Sequence, residues 1–171
     1  YDTKNSYFGQ IDTAGFEKDG FYMFQSAWRN YKEKPVVHIL PYWDFNEGQL
    51  IDLRVFTNVP EIELFLNGES LGKQTVDALH GDKFSADWQI PYTKGTLTAI
   101  GYDEYGEEIA RDEQSSFTDA TQIVLEADKT TLQANGQDLI FVEISTIDAD
   151  GNHVANANNR INIEVEGPAR L

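Results

Sequence analysis

Two periodicities divide the chain. Phe21, Phe24, Gln25 and Trp28 fall at i, i+3, i+4 and i+7, which places three bulky rings on one face of a helix. Asp19 stands where a side-chain oxygen caps the first free backbone N–H groups, and Pro35 follows the expected end. Residues 1–18 are loop-like, and no neighbouring segment is helical. The expectation is therefore that this apolar face packs on something outside the chain.

Beyond Pro35 the period becomes two. Ile51, Leu53 and Val55 alternate with Asp52, Arg54 and Phe56, the pattern of a half-buried strand. Glu61 to Leu66 alternates likewise and runs into Asn67-Gly68, a dipeptide suited to a type I′ hairpin. Phe84, Ala86, Trp88 and Ile90 share a face, as do Leu97 and Ala99, and Tyr105-Gly106 reads as a further turn returning through residues 107–110. Short strands with regular turns predict an antiparallel β-sandwich. Residues 111–121 are polar, mark a boundary and are expected to close the first sandwich through Phe117. A second strand series follows at Ile123–Ala127, Leu139–Ile147 and Ile161–Val165. The segments are thus 1–34, 35–120 and 121–171. The last is about half of an immunoglobulin-like domain, which runs to about 100 residues. The fold class is mainly β: tandem immunoglobulin-like sandwiches behind one amino-terminal helix.

Composition narrows the function. Apolar residues are 40% and aromatics 12% of the 171, enough for a packed core. Against 13 basic side chains stand 29 acidic ones, a net charge of −16 that disfavours nucleic acid and anionic membrane surfaces. Cysteine is absent, which removes disulfides, thiolate metal sites and a cysteine nucleophile. No apolar run approaches the ~18 residues of a membrane-spanning helix. The first residues, Tyr1-Asp2-Thr3-Lys4-Asn5, do not form a signal peptide, and the abrupt opening reads as an excised piece.

Candidate chemistry is sparse. Pro41-Tyr42-Trp43-Asp44-Phe45 could stack on a sugar, but core packing is the stronger reading. Phe56 and Phe65 break the alternation, and on adjacent strands they would form a patch for docking another domain, or less readily a ligand. Asp148-Ala149-Asp150-Gly151-Asn152 resembles the start of a calcium loop. Its glycine comes too early, however, and Ala157 stands where the last ligand belongs, so an Asp-Gly turn is preferred. His38, His80 and His153 lack metal-ligand spacing. The carboxylates read as a solvated surface without a nucleophile–base pair, so no catalytic residue, metal or cofactor is assigned.

Three segments together resemble the carboxy-terminal region of glycoside hydrolase family 2, in its bacterial β-galactosidase-like branch. Tyr7-Phe8-Gly9-Gln10-Ile11-Asp12-Thr13-Ala14-Gly15-Phe16-Glu17-Lys18-Asp19, with Tyr22, Gln25 and Trp28, resembles the end of the family's catalytic (β/α)₈ barrel. Val37-His38-Ile39-Leu40-Pro41-Tyr42-Trp43, Val55-Phe56-Thr57-Asn58 and Glu63 to Gly72 are similar to the sandwich that follows the barrel. Leu125 to Asp128, Gly136 to Leu139, Asp150 to Val154 and Glu166-Gly167-Pro168 resemble part of a further immunoglobulin-like domain. The resemblance implies a retaining glycosidase whose two catalytic glutamates lie upstream of Tyr1. The partners it implies are that barrel and a carbohydrate substrate. Phe16, Lys18 and Asp19 would stand near the barrel mouth, while Trp43, Phe56 and Phe65 remain candidate sugar or domain contacts. The expected location is periplasmic, cell-surface or secreted in a bacterium. A carbohydrate-binding module and an adhesin-type repeat are the alternatives.

Overall fold

The structure, a computed structural model, describes residues 8–12, 14–77, 83–168 and 170. His80 and the motif residues Tyr7 and Thr13 lie outside the described residues. The chain forms two compact units, Tyr1–Ser116 and Phe117–Leu171.

Among the described residues of the first unit one helix, α1 (Asp19–Trp28), precedes seven strands. These are β1 (Val37–Leu40), β2 (Leu50–Thr57), β3 (Glu61–Leu66), β4 (Glu69–Thr75), β5 (Ser85–Pro91), β6 (Thr96–Tyr102) and β7 (Glu108–Ser115). They make two antiparallel sheets, ordered β1-β2-β5 and β4-β3-β6-β7. Register carries the apolar alternation from strand to strand, since cross-strand partners point to the same face. Ile51, Leu53 and Val55 stand opposite Ile90, Trp88 and Ala86. In the other sheet Leu64 and Leu66 stand opposite Ala99 and Leu97. The two inner faces close over one core that includes Ile39, Leu53, Val55, Ile62, Leu64 and Leu97. Each such side chain, fully buried, contributes about 1.5–3 kcal/mol.

The hairpin between β3 and β4 turns at Asn67 and Gly68, with φ of 53° and 83°. Positive φ at both central residues is what the type I′ turn requires. Gly101 serves a different need: a Cβ there would lie 2.9 Å from methyls of both Val37 and Val59. Its missing side chain lets β6 pass close beneath these residues.

Two local expectations need correction. Asp19 does not cap α1; the N-cap is Lys18, with no side-chain hydrogen bond, and Asp19 is the first helical residue. Its carboxylate is instead drawn 2.8 Å from His38 Nε2, a partner on β1 invisible to local pattern. Arg111 to Ser115 is the larger part of β7, so the first sandwich closes on a strand, and Phe117 belongs to the second unit. An edge strand has one open side, and a polar sequence suits that position.

In the second unit β8 (Gln122–Ala127) pairs antiparallel with β9 (Val142–Ile147). The segment Ile161–Val165 alternates apolar and polar residues, yet it forms no ladder, and Ile161, Ile163 and Val165 are exposed. Alternation establishes a strand only when a neighbour supplies the ladder hydrogen bonds, and none of the described residues does so here.

Asp148 organises this unit. It is 1% exposed. Its carboxylate accepts hydrogen bonds from the N–H groups of Asn152 (2.8 Å), Asp150 (3.0 Å) and Thr118 (3.0 Å). With Gly151 at φ 88° and Asp148 N–H bonded to Asn152 O at 2.9 Å, residues 148–152 form the Asp-Gly turn. The carboxylate is spent on amides rather than open to a cation. It also departs from the solvated acidic surface that the sequence suggests. Burial works against its charged form, but the Asn152 and Thr118 donors prevail and hold its pKa at about 2, below the ordinary 3.8. A carboxyl depressed in the folded state adds stability above its ordinary pKa and loses it as pH falls through the folded value. Acid titration followed by β8–β9 amide exchange should therefore show this unit weakening between about pH 4 and pH 2. Asp148→Asn should flatten that window and lower protection at neutral pH.

Candidate functional site

The residues proposed from sequence divide into two groups in the structure. Phe16, Lys18 and Asp19 lie together where the amino-terminal loop enters α1. Asp12 builds the loop: its Oδ1 accepts the N–H groups of Ala14 (2.8 Å) and Phe16 (2.9 Å). An isolated bridge joins Ile11 to Glu17. Lys18 N–H donates to Gln10 O at 2.9 Å, and Lys18 O receives Phe21 N–H at 2.8 Å. The Phe16 ring is left 49% exposed.

Behind this loop α1 is clamped to the sandwich. The Tyr22 ring stacks on the His38 imidazole at 3.8 Å between centroids and 10° between planes. Asp19 holds Nε2 of His38, and Asp112 Oδ2 lies 3.9 Å from its Nδ1. Asp112 faces Ala99 across the β6–β7 pair, which turns its carboxylate inward. There it accepts Ile39 N–H at 2.7 Å and so ties edge strand β1 to edge strand β7 of the other sheet. Burial, followed by a hydrogen bond with Glu17, pushes the Tyr22 phenol up to about 12. At neutral pH it is therefore a fixed hydrogen-bonding group rather than a proton-transfer group. Tyr22 and His38 were individually visible in sequence, but their stacking was not, because a helix and a strand bring them together.

The second group does not assemble. Trp43 is fully buried. Its indole N–H donates to Thr93 O at 3.1 Å, and its ring packs against Tyr92 and Phe45 at 4.9 and 6.2 Å. A ring so enclosed offers no face to a sugar, and core packing accounts for it. Phe56 is 9% exposed on β2, whereas Phe65 is half-buried on β3 in the opposite sheet. They are not neighbours and form no joint patch. Among the described residues, no group of three or more His, Asp or Glu side chains is placed to hold a metal ion.

α1 presents apolar surface outward. Trp28 is 79% and Met23 39% exposed, on the same element as the half-buried Phe21 and Phe24. Trp28 lies against Phe24 with ring centroids 4.9 Å apart, so these two rings share one face of the helix, whereas Met23 stands about 140° away around the axis.

Residues 123–171 match glycoside hydrolase family 2 C-terminal domain 5, and residues 48–110 match a domain of unknown function, DUF4982. The chain is 36% identical over 165 residues to Beta-galactosidase BoGH2A of Bacteroides ovatus, covering 96% of the chain and 19% of that protein. It is 24% identical to a Beta-glucuronidase of Formosa agariphila, covering 94% of the chain and 16% of the relative. Among solved structures, a beta-glycosidase from Bacteroides vulgatus superposes with a TM-score of 0.77 at 32% identity, over 85% of this chain and 18% of that one. The chain thus spans about a fifth of the length of the curated relatives it matches. With residues 123–171 matching a family 2 C-terminal domain, and the mainly antiparallel β fold shared with such an enzyme at 32% identity, the chain belongs to the carboxy-terminal region of glycoside hydrolase family 2.

Proposed function

We propose that these residues are a non-catalytic accessory region of a retaining family 2 glycosidase. Its sandwich would buttress a catalytic barrel belonging to the same polypeptide. The observation that carries this reading is the exposed Trp28 indole, packed against Phe24 on the apolar face of α1, with Phe16 exposed in the leading loop. That surface gains nothing from facing water and fits a helix laid against a larger body. The clamp of Tyr22, His38, Asp19 and Asp112 supports it further, because it fixes that helix rigidly to the sandwich. In this reading residues 1–34 are the end of the barrel, 35–120 the sandwich and 121–171 part of an immunoglobulin-like domain. The two catalytic glutamates then lie in the barrel. The substrate is a β-linked galactoside or a related sugar; the glucuronidase name of one relative makes a β-glucuronide the competing choice. The same reading puts the protein outside the bacterial cytoplasm, which cell fractionation would check.

The test compares the 171-residue chain with a longer polypeptide of the same protein on aryl β-galactoside and aryl β-glucuronide. The longer polypeptide should turn over one of them, and the chain alone neither. Turnover by the chain that disappears on replacing one of its own carboxylates, Glu63 for instance, would overturn the accessory role.

A further inference from the structure

A cleft of about 410 Å³ opens between the connection following α1 and the β6–β7 hairpin. Tyr31, Pro35 and Ile109 give it apolar walls, and Tyr105 stands at the hairpin tip. The tip is rigidly made. Asp103 Oδ1 accepts the N–H groups of Tyr105 (2.8 Å) and Glu107 (2.9 Å), and Gly106 N–H returns to Asp103 O at 3.1 Å. The polar side is equally fixed. Glu104 accepts the Tyr31 hydroxyl on one oxygen and the Lys32 ammonium on the other, each at 2.5 Å. The Lys32 hydrogen bond, then that from Tyr31, holds the Glu104 carboxyl at about 2, so it stays anionic at physiological pH.

Joining the connection to the hairpin accounts for Tyr31, Lys32 and Glu104. It does not account for Tyr105, whose ring is 82% exposed on an immobilised turn. An exposed aromatic ring carried on a hydrogen-bonded turn, beside fixed donors and acceptors, suits an amphipathic, hydroxyl-bearing ring. The volume also falls in the ~300–1,000 Å³ range of small-molecule sites.

We propose that this cleft binds a neutral saccharide, with the Tyr105 ring as the stacking platform and Lys32, Glu104 and the Tyr31 hydroxyl oxygen as partners for the sugar hydroxyls. Neutrality follows from charge. Asp103 and Glu104 outnumber Lys32 at the cleft, and the chain carries −16. Uronic or sulfated sugars are therefore repelled. The choice of a saccharide over another amphipathic ligand rests on the glycosidase reading above; the geometry does not.

The experiment is an NMR titration of the 171-residue chain with neutral β-linked galacto- and gluco-oligosaccharides, and with a glucuronate-containing one. Neutral sugars should shift amides of residues 31–35 and 103–109, and the acidic sugar should bind more weakly. Tyr105→Ala should weaken binding about tenfold or more, and Tyr105→Phe should stay within about twofold. Tyr42→Ala, an exposed tyrosine outside the cleft, should bind as the parent does. Position 105 is an exposed tip, and the same spectra verify the fold of each variant. The proposal is overturned if no neutral sugar moves these amides at millimolar concentration, if Tyr105→Ala binds normally, or if Tyr42→Ala abolishes binding. Hydrolysis by the longer polypeptide is scored separately. Turnover without cleft shifts removes this site alone, and cleft binding without turnover removes the enzyme reading alone.

Discussion

Replacing Trp43 with alanine should cost residues 1–116 about 3–5 kcal/mol of stability, the usual loss when a buried large aromatic is truncated. Against a total of about 5–15 kcal/mol for a typical domain, that is a large fraction. The side chain is wholly inside, and Ile39, Leu53 and Leu97 belong to the same core. Tyr92 is a rigid ring hydrogen-bonded through its hydroxyl to Ser116 Oγ at 2.9 Å, so the surroundings cannot collapse freely into the space. The substitution also leaves Thr93 O without its indole donor. Trp43→Phe should cost less, because it keeps an aromatic ring in the core and forfeits mainly that hydrogen bond and some volume, about 1–3 kcal/mol. Urea denaturation followed by near-ultraviolet dichroism measures both. A loss under about 1 kcal/mol for Trp43→Ala would mean that the site repacks, and that Trp43 is not what closes this end of the sandwich.

The strands most readable in the sequence are those whose two faces see different surroundings. Ile51, Leu53 and Val55 are buried while Asp52 and Arg54 between them are exposed, so burial has the period of the pleat and writes itself into the residues. β7 could not be read this way. Asp112 points inward in place of an apolar residue because it serves Ile39 N–H, and nothing local announces that task. The opposite failure occurs at Ile161–Val165, where the alternation is present without a ladder. Sequence pattern reports which face a strand would bury, not whether a partner stands beside it. The site shows the same division. Trp43 was legible as core because it sits in an aromatic run, and α1 because its spacing is helical. The Tyr22–His38 stack and the Glu104 bridge join residues 16 and as many as 73 positions apart. Only the assembled fold makes them neighbours.

Asn58 is the second residue whose loss should be severe, and for a reason unrelated to volume. It is 3% exposed just after β2. Its Oδ1 accepts Val36 N–H at 2.8 Å, and its Nδ2 donates to Arg29 O at 3.0 Å and Lys34 O at 3.2 Å. One amide thus ties the connection leaving α1 to the sandwich, while Thr57 Oγ1 holds the other end of Val36 by donating to its carbonyl at 2.7 Å. Asn58→Ala strands the buried Val36 N–H and two carbonyls. A buried group left unpaired costs about 1–3 kcal/mol, and Arg29 and Lys34 are exposed enough for water to replace part of the loss. The expected total is about 2–3 kcal/mol. Asn58→Asp keeps the acceptor for Val36 but sets a carboxylate oxygen against two carbonyls, so it should be no better. The distinguishing readout is local. Amide exchange across Asp19–Trp28 should accelerate more than exchange in β3 or β6, because the connection that anchors the end of α1 loosens first. Equal acceleration everywhere would mean that Asn58 supports the core as a whole. Unchanged protection in α1 would mean that the helix is held by Tyr22, His38 and Asp19 alone.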